Sequence, residues 1–420
     1  MVIVIKMIER IVMSTKNQET LLGIDLDYAY TQISYQTDEM EQPMTFEEQT
    51  NHGLIPNILF YGEESKKWYS GYEARKKRDE EKGVFFEDFH KKLAKEEKVT
   101  VAESSYCYQE LFVKMLALHM KKLNISFQDA RIVITSATEH LLLHELESLP
   151  EILKERHCLI HRISHFTAFM AFVLHQEECN GTKGIGLLEY EKDTMNYQYL
   201  GRTPAGDMLQ IQTIPLQERF ELEEGESKDE RFSKMLVKLF YQYKTSVVYL
   251  TGEGFEGDWL DETLKVVCRN RRAFLGQNLF TKGAFCFALE EGKKRNPKLL
   301  APGLCLYNIG TVITVNGQQR FAPIVEGGCD WYGQKGKMQF ILEEGEKIEI
   351  IYQNLRTKEI ERQVMELYGM PKRPPMTTRV EIEAEYTSNR EGFLKIKDLG
   401  FGELFPSSRQ IWIKKLILKE

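Results

Sequence analysis

The sequence predicts an α/β core followed by an antiparallel β-sandwich. Three observations carry this expectation. Up to about residue 295, short apolar strands alternate with helical stretches, the pattern of an α/β domain. Beyond KKRNPKLLAPG (293–303) the helical periodicity stops, and strand-length segments follow one another: TVITVNG, RFAPIVEGG, KMQFILEEGEKIEIIYQN, VEIEAEY, GFLKIKD and RQIWIKKLIL. Their spacing is that of a β-sandwich of about 120 residues. Finally, two strand hairpins, LLGIDLDYAYTQISY (21–35) and GIGLLEYEKDTMNYQYL (184–200), are each followed by a further strand and helix, which suggests internal duplication of one α/β unit.

Composition narrows the function classes. A chain of 420 residues has length for two or three domains, and 42% hydrophobic with 28% charged residues is ordinary for a soluble globular protein. The net charge of −7 counts against a nucleic-acid partner. The seven cysteines are scattered, with no CxxC pair, which fits reduced thiols in a reducing compartment and no zinc cage. Residues 1–20 are expected to be a disordered tail. Their apolar front, MVIVIKMIERIVM, is broken by Lys6, Glu9 and Arg10, too short and too charged for a membrane span or secretory signal. Met13 is an alternative start. With no longer apolar run, the expected location is cytoplasmic, without a membrane partner.

In the first hairpin, Asp25 sits among Leu22, Ile24 and Leu26. A carboxylate in an apolar strand is costly unless a metal, a magnesium-bound phosphate or backbone donors compensate it, or unless it points to an open sheet edge. The strand NILFYG (57–62) is followed by two charged stretches that read as helical, GYEARKKRDEEKG (71–83) and FFEDFHKKLAKEEK (85–98). Leu111, Met115, Leu118 and Leu123 share a helical face. RIVITSA (131–137) reads as a buried strand and HLLLHELESL (140–149) as a helix. His140 and His144 stand four apart without completing a metal shell, so they read as helix-surface histidines. His157, His161 and His165 straddle a strand-to-helix change and would not share a face. QERFELEEGESKDE (217–230) reads as an acidic loop, and RFSKMLVKLFYQY (231–243) as a helix. In VVYLTGEGFEGDWL (247–260) a buried strand opens through Gly252 and Gly254; such a turn can present N–H groups to a phosphate, though tight-turn glycines are the commoner explanation. NLFTKGAFCFALEEG (278–292) is a small-residue helix, in which Gly283 and Ala284 would allow close packing.

The order of these elements resembles the seventy-kilodalton heat-shock chaperones of the actin-like ATPase superfamily. LLGIDL resembles that family's first phosphate hairpin, with GLIPNILFYG and SGYEARKK the segments after it. RIVITSAT resembles the following strand. ISHFTAFMAFVLHQ and LFTKGAFCFAL resemble the two connecting helices, and VVYLTGEGFEGDWL the adenosine-binding glycine turn. KGKMQFILEEGEKIEIIYQN and MELYGMPKRPPMTTRVEIEAEYTSNREGFLKIK are similar to the family's substrate-binding β-domain. The resemblance implies an actin-like ATPase core over 21–295, made of duplicated ribonuclease-H-like α/β halves. A C-terminal β-sandwich over 296–420, without the helical lid, would follow.

The resemblance also exposes departures. Gly23, Asp25, Glu189, Gly252 and Gly254 fall on the nucleotide cleft. The first turn, however, carries Asp27, Tyr28 and Ala29 in place of Gly-Thr-Thr, and Tyr30 adds a second bulky ring. The second hairpin has Glu189, Tyr190, Glu191, Lys192, Asp193 and Thr194 where the family has Asp-Leu-Gly-Gly-Gly-Thr. The family's catalytic glutamate falls on His165, and its lysine is matched only loosely, to Lys91. The nucleotide-clamping subdomain is reduced to about forty residues, Gly206 to Val247. Phosphoryl transfer depends on positioned charge and a bound metal, so the resemblance implies a vestigial cleft, with no catalytic residue and no resident cofactor. ATP with magnesium at an altered phosphate site is the alternative. The remaining activity would be binding of a protein or peptide partner by the β-domain, through Ile313, Val315, Phe340 and Leu342. A purely structural assembly role is a third expectation.

Overall fold

The computed structural model describes residues 2–3, 20–37, 39–40, 42–48, 53–95, 97–155, 157–176, 184–191, 194–202, 208–215, 227–276, 278–290, 298–301, 303–343 and 346–419. The chain is a mixed α/β protein with a β-rich C-terminal region. Its contacts divide it into two units. One comprises Lys16–Arg202 and Ile211–Arg295; the other comprises Asn296–Glu420 with Met1–Thr15 and Thr203–Gln210.

The α/β unit repeats one topology. Leu21–Leu26 pairs antiparallel with Tyr30–Gln36 and parallel with Arg131–Ser136, which pairs parallel with Leu159–Ser164. Ile185–Glu191 likewise pairs antiparallel with Thr194–Arg202 and parallel with Val247–Thr251, which pairs parallel with Arg272–Leu275. The correspondence extends to single residues. Asp25 stands opposite Thr135 across its parallel pair, and Glu189 stands opposite Thr251 across its own. The central strands are buried on both faces, so they read as near-continuous apolar runs.

A helix follows the last strand of each repeat, His165–His175 and Leu279–Glu290. Ser164 caps the first by accepting a hydrogen bond from the Thr167 N–H at 3.3 Å. The two helices cross at close range. A Cβ on Gly283 would lie 2.2 Å from the Ala168 carbonyl oxygen. One on Gly23 would lie 2.2 Å from the Thr281 carbonyl oxygen. Here glycine is required by proximity, because any side chain would force the elements apart.

Two helical expectations are replaced by other structure. FFEDFHKKLAKEEK forms strand Gly83–Phe86, then a 3-10 turn Phe89–Lys91, and Lys98 opens another strand. Asp88 takes φ +55° and interrupts the backbone. Phe86 and Phe89 are both buried, Phe86 against Trp68 and Tyr108 and Phe89 against Phe112. The three-residue spacing that mimics a helix therefore comes from a strand and a turn. HLLLHELESL becomes 3-10 turns at Glu139–Leu141 and His144–Ser148 before the short helix Leu149–Leu153. In the interval 206–247 a strand, Met208–Pro215, precedes the helix Lys228–Gln242. Of the expected acidic loop, residues 217–226 lie outside the described residues.

The β unit holds two antiparallel runs of four strands. In one, the order is Gln318–Val325, Tyr307–Val315, Lys347–Asn354 and Ile360–Glu366. In the other it is Lys335–Leu342, Thr378–Tyr386, Glu391–Gly400 and Ile411–Ile417. Asn316 and Gly317, both at positive φ, make the two-residue turn of the first hairpin. Alternation places Val380, Ile382, Ala384 and Tyr386 in a core shared with Ile309, Phe340, Ile350 and Leu394. Val2–Ile3 forms a ninth strand, where a disordered tail is expected; residues 4–19 lie outside the described residues.

One buried ion pair fixes the loops of this unit. The Arg373 guanidinium donates to both oxygens of Asp398, at 2.8 and 2.7 Å, and also to the Pro406 carbonyl at 2.8 Å. Gly400 and Ser408 donate backbone N–H bonds to the same carboxylate. Burial alone would raise the Asp398 pKa, but the guanidinium and these donors hold it well below the ordinary carboxylate range. Asp398→Asn leaves a buried guanidinium without its counter-charge, which costs about 3–5 kcal/mol. Denaturant unfolding followed by tryptophan fluorescence should show that loss, and an unchanged midpoint would refute this role.

Candidate functional site

The two carboxylates singled out by the sequence converge on one histidine. Asp25 is the fifth residue of its strand, and Glu189 occupies the same position in the equivalent strand. His165, the first residue of its helix, places Nε2 2.8 Å from Asp25 Oδ1 and Nδ1 3.8 Å from Glu189 Oε1. Gln198 holds Glu189 by donating to Oε2 at 2.8 Å. The imidazole lies flat on Phe280, with ring centroids 3.6 Å apart and planes 12° from parallel. Phe280 is three residues before Gly283 as His165 is three before Ala168, so the stack sits where the two repeats meet.

The electrostatics follow from this packing. Burial alone would lower the imidazole pKa; the carboxylates of Asp25 and Glu189 outweigh it and raise it to about 9. His165 is therefore an imidazolium at neutral pH. It occupies the space between two carboxylates that a bound cation would otherwise neutralise. Asp25 and Glu189 remain chemically suited to a divalent cation, but their negative charge is already compensated by a side chain.

The turn of the first hairpin is self-contained. Asp27 accepts the Ala29 N–H at 2.9 Å, and Asn57 Nδ2 donates to the Asp27 carbonyl at 2.6 Å. Tyr28 packs edge-on against His90, with centroids 5.8 Å apart. Gly23 stands apart from the carboxylates and serves the contact with the second helix. The glycine turn is also packed. A Cβ on Gly254 would lie 2.3 Å from Tyr190 Cγ. Lys228 donates to the Gly254 carbonyl at 3.4 Å while its ammonium lies 3.8 Å from the Trp259 ring centroid and 4.6 Å from that of Tyr190. Gly252, at φ +108°, makes the bend. Beside it lies a cavity of about 1000 Å³, lined by Phe255, Leu260, Leu264 and Leu275 and by the acids Glu47, Glu256, Asp258 and Asp261. Such a lining repels phosphate. Lys192 and Asp193 lie outside the described residues. Lys91 is an exposed residue paired with Asp88 at 3.3 Å, and His144 is an exposed neighbour of Glu147.

A second feature lies in the β unit, between the two runs. Val2–Ile3 pairs parallel with one run, Ile3 opposite Thr314, and antiparallel with the other, Val2 opposite Leu342 and Ile3 opposite Ile341. An extended segment is thus added between the edge strand Lys335–Leu342 and the Thr314 end of Tyr307–Val315. The four residues assigned to peptide binding lie on these same strands. Phe340 and Leu342 belong to the core, Ile313 is 3% exposed, and Val315 is half-buried. They support the edges from within. The direct strand partners, Thr314, Ile341 and Leu342, include two that residue type did not point out, because main-chain pairing carries no side-chain signature.

The chain belongs to the family of unknown function DUF5716, whose C-terminal model matches residues 40–301. Residues 305–418 match a domain of unknown function, DUF8552. No curated protein matches the chain. Among the described residues, no helix is long and apolar enough to cross a membrane.

The raised His165 pKa ties stability to pH with a definite sign. The folded state holds the proton more tightly than the unfolded chain, whose histidine titrates near 6.5. The contribution, roughly 3 kcal/mol, is complete below pH 6.5, declines as pH rises and is gone above about 9. Urea unfolding at pH 6, 7.5 and 9 should show this alkaline loss. His165→Gln should remove most of the slope and be less stable at pH 6; an unaltered slope would show that the histidine is not the titrating group.

Proposed function

We propose that this chain is a non-catalytic relative of the seventy-kilodalton heat-shock chaperones, with an actin-like α/β core, that binds extended segments of protein through its β unit. The observation that carries the reading is strand addition: an extended segment, Val2–Ile3, pairs with one strand of each of the two four-stranded runs. Main-chain pairing of this kind accepts many sequences, because the bonds involve backbone groups common to all residues.

The core reading draws support from the repeated topology and from the helices that cross at Gly283 and Ala168. The absence of catalysis draws support from the cleft. A phosphoryl-transfer site needs backbone donors free to hold phosphate and a metal held by carboxylates. Here the Ala29 N–H is used within its own turn, Tyr190 packs the glycine turn at Gly254, and His165 neutralises the carboxylate pair.

Thermal melts and calorimetric titrations with ATP and ADP, with and without magnesium, test the non-catalytic half. A ligand at 100 times its dissociation constant would stabilise the fold by about 2.7 kcal/mol. The expected result at millimolar nucleotide is no shift, together with saturable binding of a fluorescent extended apolar peptide that survives Asp25→Ala. A magnesium-dependent shift abolished by Asp25→Ala would overturn the reading in favour of a working nucleotide site.

A further inference from the structure

We infer that the chain regulates its own β unit: Val2–Ile3 is an internal occupant of the strand-acceptor slot, and any extended partner must displace it. This rests on the reading of the β unit as a binder of extended segments.

The slot is defined by its walls. Lys335–Leu342 ends its run on the side facing Val2–Ile3. Tyr307–Val315 lies inside its run but pairs with Lys347–Asn354 only over Tyr307–Gly310, and farther along the same strand Thr314 pairs with Ile3. Were the segment to leave, the Lys335–Leu342 edge and the Thr314 end of the other strand would carry unpaired N–H and C=O groups, an arrangement that invites another strand. An empty slot is therefore a binding site by chemistry, and an occupied one is closed.

One feature identifies the occupant as exchangeable: it fits imperfectly. Thr314, 3% exposed and opposite Ile3, has a buried hydroxyl with no hydrogen-bond partner among the described residues. A better competitor would bring a polar group to that hydroxyl. The surrounding sequence, Met-Val-Ile-Val-Ile, is rich in the β-branched residues that suit a strand. Because the segment is covalently attached, it competes at an effective concentration of about millimolar order. A weak intrinsic pairing therefore suffices to keep the slot largely filled.

The test measures binding of a fluorescein-labelled peptide with the sequence of residues 1–10, by anisotropy, to three proteins. These are the full chain, a chain lacking residues 1–12 and the full-length variant Ile3→Pro. Proline removes the backbone donor at the doubly paired position while leaving chain length intact. Thermal melts establish that each protein is folded. If the segment closes the slot, the truncated chain and Ile3→Pro should both bind at least about tenfold more tightly than the full chain, since only the open fraction binds. Equal affinity for all three would overturn self-occupancy while leaving the binding reading intact. Tighter binding by the full chain would also overturn it, assigning the segment to the binding surface itself. Absence of binding by all three folded proteins would overturn both.

Discussion

His165 brings a positive charge into the interior of the α/β unit, and the carboxylates of Asp25 and Glu189 make it tolerable. Each of the three would be costly alone. A buried imidazolium without counter-ions would lose its proton, and two carboxylates without a cation would repel each other across the cleft. Together they form a contact to which both repeats contribute equivalent residues. The Phe280 stack extends it to the second helix, and Gly283 against Ala168 allows the helices to come close enough for that stack to form. Charge compensation and close packing thus depend on one another, and altering either strains the other.

Much of the α/β unit is legible in the sequence because its signals are local. The hairpins, the parallel strands and both crossing helices follow from apolar runs and small-residue positions. Asp25 draws notice because an acid in an apolar strand needs compensation. What compensates it is not legible by spacing: His165 lies 140 positions away, and only the fold brings it there. The proposed likeness to the chaperones draws notice to the residue, whereas its charge state comes from the two carboxylates around it. The segment around Phe85 to Lys98 misleads because aromatic residues three or four apart suit a helix and a strand-turn corner equally well.

The β unit shows the same division. Alternation along Thr378–Tyr386 and its neighbours gives the strands and the inward face. It does not reveal that Val2 and Ile3 pair with residues more than 300 positions away. An apolar segment interrupted by charges resembles a frayed end, and nothing local distinguishes it from a strand whose partners are distant. Ile313, Val315, Phe340 and Leu342 lie on the strands that pair with Val2–Ile3, but sequence likeness favours side chains over the backbone groups they support.

The Arg373–Asp398 pair has a consequence for motion. The Gly400 and Ser408 amides end on the same carboxylate, and the guanidinium also holds the Pro406 carbonyl. These groups cannot be released one at a time without leaving a buried charge partly unsatisfied. Residues 400–408 should therefore open as a single cooperative unit, and the Gly400 and Ser408 amides should exchange with solvent deuterium at a common rate, slower than their position beside a surface loop suggests.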